Sequence, residues 1–140
     1  MSFLLDTNVV SELRKGARTD GGVRDWFAAV DDQELFLSAL VLGEIRQGVE
    51  RTGRKDPTAA RRLEAWLDAL ARDFADRILP VDAVVAEQWG RLNVPDPLPV
   101  VDGLLAATAL VHGLTVVTRN SRDFVRTGVA PLDPFARRGR

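Results

Sequence analysis

The chain has 140 residues, of which 46% are hydrophobic and 28% are charged, as expected for one globular domain with a single core. Cysteine is absent and the formal net charge is −1, which excludes disulfides, thiolate zinc sites and a general electrostatic attraction to nucleic acid. No apolar run approaches the ~20 residues of a membrane span, and the apolar start at 3–5 is too short for a signal peptide, so we expect a cytoplasmic protein.

The first half of the chain alternates short apolar runs with segments of helical periodicity. We predict strands at 3–6 and 34–38, and helices at 7–14, 23–30 and 39–51. Ser38 is a suitable N-cap for the third helix. The polar segment 16–22 is expected to be a loop.

The second half continues this alternation and ends on an edge strand. We predict helices at 58–75, 83–92 and 101–112, and strands at 77–81, 114–118 and 129–132, the last of which is the edge strand. Asp82 is a suitable cap for one helix, Gly113 ends another, and loops are expected at 93–99 and 119–123.

The regular alternation of strands and helices predicts the fold class. We expect an α/β fold with a mainly parallel sheet of four to five short strands, flanked by helices. The chain is expected to form a single domain over 1–135, followed by a flexible tail at 136–140.

Three carboxylates lie in otherwise apolar sequence. Asp6 ends the first predicted strand, Glu44 lies in the first two turns of a helix, and Asp102 lies near the start of another. Asp6, and Asn120 after the fourth strand, fall at the sheet edge where ligands of parallel sheets bind. Each acid also has an ordinary explanation, as a helix cap, a solvent-facing residue or a helix N-terminal acid, respectively.

Together, the three acids favour a metal site. Carboxylates that lie close together repel one another, which raises their pKa values, and a divalent cation removes that conflict. Oxygen ligands without His or Cys favour Mg²⁺ or Mn²⁺. Such a cation can activate water and stabilise charge on a phosphodiester, so the acids predict hydrolysis of a phosphate ester. We interpret His112, the single histidine, as a helix C-terminal residue.

Four blocks of sequence carry a family resemblance. They are LLDTNVVSE at 4–12, LSALVLGEIRQGV at 37–49, PVVDGLLAATALVHGLTVVTRNSRDF at 99–124 and GVAPLDPF at 128–135. In order and spacing they resemble a PIN-domain nuclease, and more narrowly a VapC-type or FitB-type toxin of a type II toxin–antitoxin pair. The resemblance implies an endoribonuclease dependent on Mg²⁺ or Mn²⁺, which acts on RNA. It also implies a cognate VapB-like antitoxin as partner, and a homodimer or toxin–antitoxin hetero-oligomer.

The resemblance also implies site residues. Asp6, Glu44 and Asp102 match the family's three main acids, as catalytic residues and metal ligands. The family often has a fourth acid where this chain has Asn120, and Asp123 follows three residues later. Either residue can serve as the fourth site residue, and Asn120 can ligate a metal through its carbonyl oxygen without adding charge.

Further residues near the acids are candidates for binding or support, although Asn8 could also be an ordinary first-turn helix residue and Thr118 an ordinary strand residue. Asn8 and Thr118 resemble residues that support the acidic cluster by hydrogen bonding. Arg46 and Arg119 lie close to the matched acids in sequence, where each can hold an RNA phosphate, contact an antitoxin segment or pair with a carboxylate. The alternative to an enzyme is a catalytically silent binding module of the same fold, for which Asn120 is the only support.

Overall fold

The computed structural model describes residues 1–136 and contains five strands. They are β1 Phe3–Leu5, β2 Leu35–Ser38, β3 Ile78–Leu79, β4 Thr115–Val117 and β5 Pro131–Leu132. The α-helices of the described residues are α1 Thr7–Leu13, α2 Gly21–Ala29, α3 Ala39–Gly53, α4 Pro57–Asp73, α5 Ala83–Leu92 and α6 Val100–His112. Short 3₁₀ helices occupy Gly16–Arg18, Asp32–Glu34 and Ser121–Thr127.

The strands form one sheet in the order β3-β2-β1-β4-β5, and every pairing is parallel. Leu4 of the central strand pairs with Phe36 on one side and Val116 on the other. β1 is buried along its whole length, as expected for a parallel strand covered on both faces by helices. The predicted α/β class is therefore confirmed, and the carboxyl ends of β1, β2 and β4 share one edge.

The ends of three helices follow from local sequence. The Ser38 hydroxyl accepts a hydrogen bond from the Leu40 backbone N–H at 3.1 Å, and the Asp82 carboxylate accepts one from the Val85 N–H at 3.0 Å. Gly113 ends α6 in the left-handed conformation, with φ of 67°, which glycine adopts without steric cost. All three predicted helix boundaries are confirmed.

Several predicted boundaries were wrong; β3, for example, is only two residues long where a strand was predicted at 77–81. Two of the differences have a clear physical cause. α2 begins at Gly21 rather than at residue 23, because an Asp20 carboxylate oxygen accepts hydrogen bonds from the N–H groups of Gly22 and Val23. The predicted loop at 119–123 leads instead into the 3₁₀ helix Ser121–Thr127. Burial of Phe124 within the core explains why this polar segment is ordered.

The long helix α4 covers the core next to α3. Leu67 is buried, and Leu63, Trp66 and Leu70 pack against the core from the same helix. Within residues 1–136, no helix is both long and apolar enough to cross a membrane. The flexible tail predicted at 136–140 falls, from residue 137 onward, outside the described residues.

Candidate active site

Asp6 lies at the carboxyl end of β1, where it is only 7% exposed. One of its oxygens accepts a hydrogen bond from the Thr7 backbone N–H at 2.7 Å, and so caps α1. The other accepts hydrogen bonds from the Thr118 hydroxyl at 2.8 Å and the Asn8 amide at 3.4 Å. Burial raises the pKa of Asp6 above its ordinary value, although the hydrogen bonds from Thr118 and Thr7 act to lower it. Asp6 therefore caps α1, in addition to its predicted role in the site.

Asn8 and Thr118 join the ends of β1 and β4 around this carboxylate. The Asn8 amide donates to the Thr118 hydroxyl at 3.4 Å, and its carbonyl oxygen accepts from the Arg119 backbone N–H at 3.1 Å. The hydroxyl of Thr118 also accepts from the Asn120 N–H at 3.0 Å. Each side-chain polar atom of Asp6, Asn8 and Thr118 thus has a hydrogen-bond partner that restricts its position.

Glu44 is half-buried in the second turn of α3. The Thr7 hydroxyl donates a hydrogen bond to its carboxylate at 2.5 Å, so the residue after Asp6 contacts the second predicted acid directly. Glu44 also lines a groove of about 540 Å³ whose other walls include Leu40 and Val101. Thr7 was not among the predicted site residues, although its place between Asp6 and Asn8 could have indicated it.

Asp102 is half-buried in the first turn of α6. Partial burial raises its pKa, and the negative charges of Asp6, Asp123 and Glu44 raise it further. Within residues 1–136, its carboxylate has no hydrogen-bond partner. Asp6, Glu44 and Asp123 therefore each lie close enough to Asp102 to affect its ionisation.

The two candidates for the fourth site residue differ in charge. Both Asn120 and Asp123 are exposed. The charge of Asp123 contributes to raising the pKa of Asp102. Asn120 adds no charge, and its backbone N–H donates to the Thr118 hydroxyl. Both therefore border the cluster, from opposite ends of the same short segment.

We tested whether these residues suit a divalent cation. In the part of the chain from 1 to 136, no three His, Asp or Glu side chains stand close enough to hold a metal ion in their present positions. The donor set nevertheless consists entirely of oxygen atoms, as Mg²⁺ and Mn²⁺ prefer. The repulsion at Asp102 is the kind that a bound cation relieves. The residues therefore fit a hard divalent cation by donor type and charge, and their side chains would have to close around it.

The two predicted arginines have different surroundings. Arg46 on α3 forms an ion pair with Glu64 on α4, with both side chains nearly half exposed. This contact supports the ion-pair interpretation of Arg46. Arg119 instead places its guanidinium carbon 4.1 Å from the centre of the Phe135 ring, at the side of the site nearest β4 and β5.

A further buried carboxylate, Glu12 on α1, received no role in the sequence analysis. It accepts hydrogen bonds from the Asp20 backbone N–H at 2.9 Å and the Lys15 ammonium at 3.0 Å. These contacts lower its pKa, with the Asp20 bond contributing most. Glu12 therefore fixes the loop between α1 and α2.

The sequence and fold are similar to those of known proteins. The sequence profile described as the PIN domain matches residues 3–130. Toxin FitB of Neisseria gonorrhoeae is 34% identical, with 95% of this chain and 98% of that protein covered. VapC ribonuclease Y4jK of Sinorhizobium fredii is also 34% identical, with 95% and 97% covered. A solved structure of FitAB bound to an IR36 DNA fragment matches with a TM-score of 0.80, at 31% identity and 98% coverage of both chains. The resemblance stated from sequence motifs is confirmed.

Proposed function

The chain belongs to the PIN domain family, and on that premise we propose that it is an endoribonuclease dependent on Mg²⁺ or Mn²⁺, acting as the toxin of a type II toxin–antitoxin pair. The observation that carries this proposal is the position of Asp102 in a partly buried site close to Asp6, Glu44 and Asp123, where burial and then the charges of these acids raise its pKa. The relatives named FitB toxin and VapC ribonuclease support the same chemistry.

The proposed ligands of the cation are Asp6, Glu44 and Asp102, with Asn120 or Asp123 as the fourth site residue. When bound, a divalent cation lowers the pKa of water and neutralises charge on a phosphodiester in the transition state. The all-oxygen donor set supports this assignment, because it suits a hard cation better than zinc.

The surrounding residues keep the acids in position. The Thr118 hydroxyl and the Thr7 N–H fix both oxygens of Asp6, and the Thr7 hydroxyl orients Glu44. Because these contacts exist before any substrate binds, little reorganisation of Asp6 is needed during the reaction. We propose that the exposed Asn120 orients a water molecule or an RNA phosphate oxygen through its amide.

We propose a VapB-like antitoxin as the partner, and either a homodimer or a toxin–antitoxin hetero-oligomer as the assembly. The similar FitAB structure supports this pairing. The groove beside Glu44 provides an apolar surface at the rim of the site, lined in part by Leu40, Val81 and Val101. We also propose a cytoplasmic location and a single domain over 1–135.

The direct test is RNA cleavage by purified, antitoxin-free protein with Mg²⁺, with Mn²⁺ and with EDTA. We expect cleavage only with a divalent cation. Asp102→Asn should reduce the rate at least about 100-fold, since even outer-shell partners of metal ligands contribute about 10- to 100-fold. The matched control is Asp25→Asn, which changes an exposed acid on α2.

Three outcomes separate the interpretations. Metal-dependent cleavage that Asp102→Asn loses and Asp25→Asn keeps would support the nuclease. Wild-type activity in Asp102→Asn would contradict the assignment of the site. A folded wild type that neither cleaves RNA nor binds Mn²⁺ would favour the silent binding module, and Asn120→Asp would then be the variant to examine for restored binding.

A further inference from the structure

The last described residues form a strap, Asp133–Ala136, across the start of α2. The Asp20 carboxylate oxygen that caps α2 also accepts a hydrogen bond from the Ala136 N–H at 2.9 Å. A Cβ atom added to Gly22 would lie 2.4 Å from the Pro134 carbonyl oxygen, so glycine is what allows the strap to pack this closely. The strap is therefore held by a specific acceptor and a fitted surface.

The strap carries Phe135 to Arg119. The Phe135 N–H donates to the Asp133 carboxylate at 2.9 Å, which fixes the turn that presents the ring. The guanidinium carbon of Arg119 lies 4.1 Å from the ring centre, within the range of a cation–π interaction. At its other end, the Arg119 backbone N–H is bound to Asn8. The arginine is thus restrained at both ends, directly beside the Asp6 network.

The guanidinium of Arg119 remains available for a ligand. Within the described residues 1–136, its N–H groups form no hydrogen bond or ion pair. Its charge contributes to lowering the pKa of Asp20, after the larger effects of the hydrogen bonds at that carboxylate. Arg46, in contrast, is already engaged by Glu64. Of the two arginines predicted near the acids, only Arg119 can offer its planar fork of donors to a phosphate without first breaking an ion pair.

Building on the proposed function, we propose that Arg119 binds an RNA phosphate that flanks the scissile one. We further propose that Phe135 is the positioning residue that holds the guanidinium for this contact. A flanking rather than a scissile phosphate follows from the location of the guanidinium, which lies against Phe135 of the strap that is bound to Asp20 at the start of α2. The RNA strand would therefore extend from the acids across the side of the site formed by β4 and β5, where it would contact the strap.

The test measures KM, kcat and the salt dependence of KM on a single-stranded RNA, with unfolding followed by circular dichroism. Arg119→Gln should raise KM about 10-fold or more, because it removes a charge-assisted hydrogen bond. It should also reduce the slope of log KM against log salt by about 0.7, the value of one phosphate contact on a single strand. The matched control is Arg54→Gln, an exposed arginine at the far end of α3, which should leave both quantities unchanged.

The role of Phe135 has its own readout. Phe135→Leu should raise KM about threefold, in line with a cation–π contact at an exposed site, and leave kcat unchanged. Phe135→Tyr, which keeps the ring, should restore the wild-type KM. Ala136→Pro removes the N–H bound by Asp20 and should raise KM in the same way, which covers the case in which Phe135→Leu does not fold.

The outcomes distinguish this inference from the proposed function. A wild type that neither binds nor cleaves RNA would overturn both. A wild type that cleaves RNA, with an unchanged KM and salt slope in Arg119→Gln, would overturn the inference alone. A folded Phe135→Leu or Ala136→Pro protein of lower thermal stability but wild-type KM would show that the strap serves only the fold, which also overturns the positioning role.

Discussion

The two halves of the candidate site are built differently. The strand half consists of Asp6, Asn8 and Thr118, where each polar group has a hydrogen-bond partner and the carboxylate is buried. The helix half contains Asp102 and Glu44, which are only half-buried. There Asp102 is surrounded by like charge and, among residues 1–136, its carboxylate has no hydrogen-bond partner.

This difference between the two halves explains how the site can be stable in the free protein while the repulsion at Asp102 still favours binding of a cation. Hydrogen bonds offset part of the cost of burying Asp6 and restrict its position, so the strand half can be rigid in the free protein. Repulsion in the helix half is relieved by protonation or by a cation. We therefore expect the strand half to contribute to folding and the helix half to contribute to ligand binding, and four measurements can test that division.

The largest expected effect is stabilisation by a divalent cation. At a Mn²⁺ concentration of about 100 times its dissociation constant, the free energy of unfolding should rise by about 2.7 kcal/mol. Asp102→Asn should lose most of this gain, whereas Asp25→Asn should keep it. Urea denaturation with and without MnCl₂ measures the difference, and an equal gain in Asp102→Asn would remove Asp102 from the proposed ligands.

The next effect compares the halves directly, in EDTA. Asp6→Ala should lower the free energy of unfolding by about 2 kcal/mol, because it removes the cap of α1 and leaves the buried Thr118 hydroxyl without its acceptor. Asp102→Ala should change it by about 0.5 kcal/mol or less, or raise it, because the variant removes repulsion at a half-buried position. Equal losses in the two variants would contradict the division.

A smaller effect concerns Thr7, whose side-chain hydrogen bond to Glu44 joins the two halves. Thr7→Val keeps the shape of the side chain and removes the hydroxyl, so it should lower the free energy of unfolding by about 1 kcal/mol. Thr7→Ser keeps the hydroxyl and is the matched control. If Glu44 is a metal ligand, Thr7→Val should also weaken Mn²⁺ binding about 10-fold; equal affinity in Thr7→Val and Thr7→Ser would show that the contact does not orient Glu44.

Sequence could predict the parts of this molecule that depend on local rules. The alternation of strands and helices follows from the hydrophobic period of each segment. The caps at Ser38 and Asp82 and the helix end at Gly113 depend on residues within one turn of each other. The three acids could be identified for a related reason, since a carboxylate in an apolar segment is visible in the sequence alone.

The remaining features depend on contacts between distant parts of the chain. The bonds of Thr118 to Asp6 and of Thr7 to Glu44 join residues that lie 112 and 37 positions apart. The pairing of Arg46 with Glu64, and of Arg119 with Phe135, likewise follows from how α4 and the strap pack. Sequence offered both arginines as equal candidates, and only the packing distinguishes them.

The smallest expected effect is the pH dependence that Asp102 adds to stability in EDTA. Because its pKa is raised in the folded state, the folded protein binds more protons than the unfolded chain at pH values above the ordinary 3.8. The free energy of unfolding should therefore fall as pH rises from that value through the raised pKa. Asp102→Asn should remove this part of the fall, which thermal unfolding of both proteins across a buffer series would measure.

Glu12 makes a contribution of opposite sign, since its lowered pKa adds stability that is lost as pH falls. The difference between wild type and variant isolates Asp102, and a difference that does not change with pH would mean that neither burial nor repulsion raises the pKa of Asp102 in the folded protein.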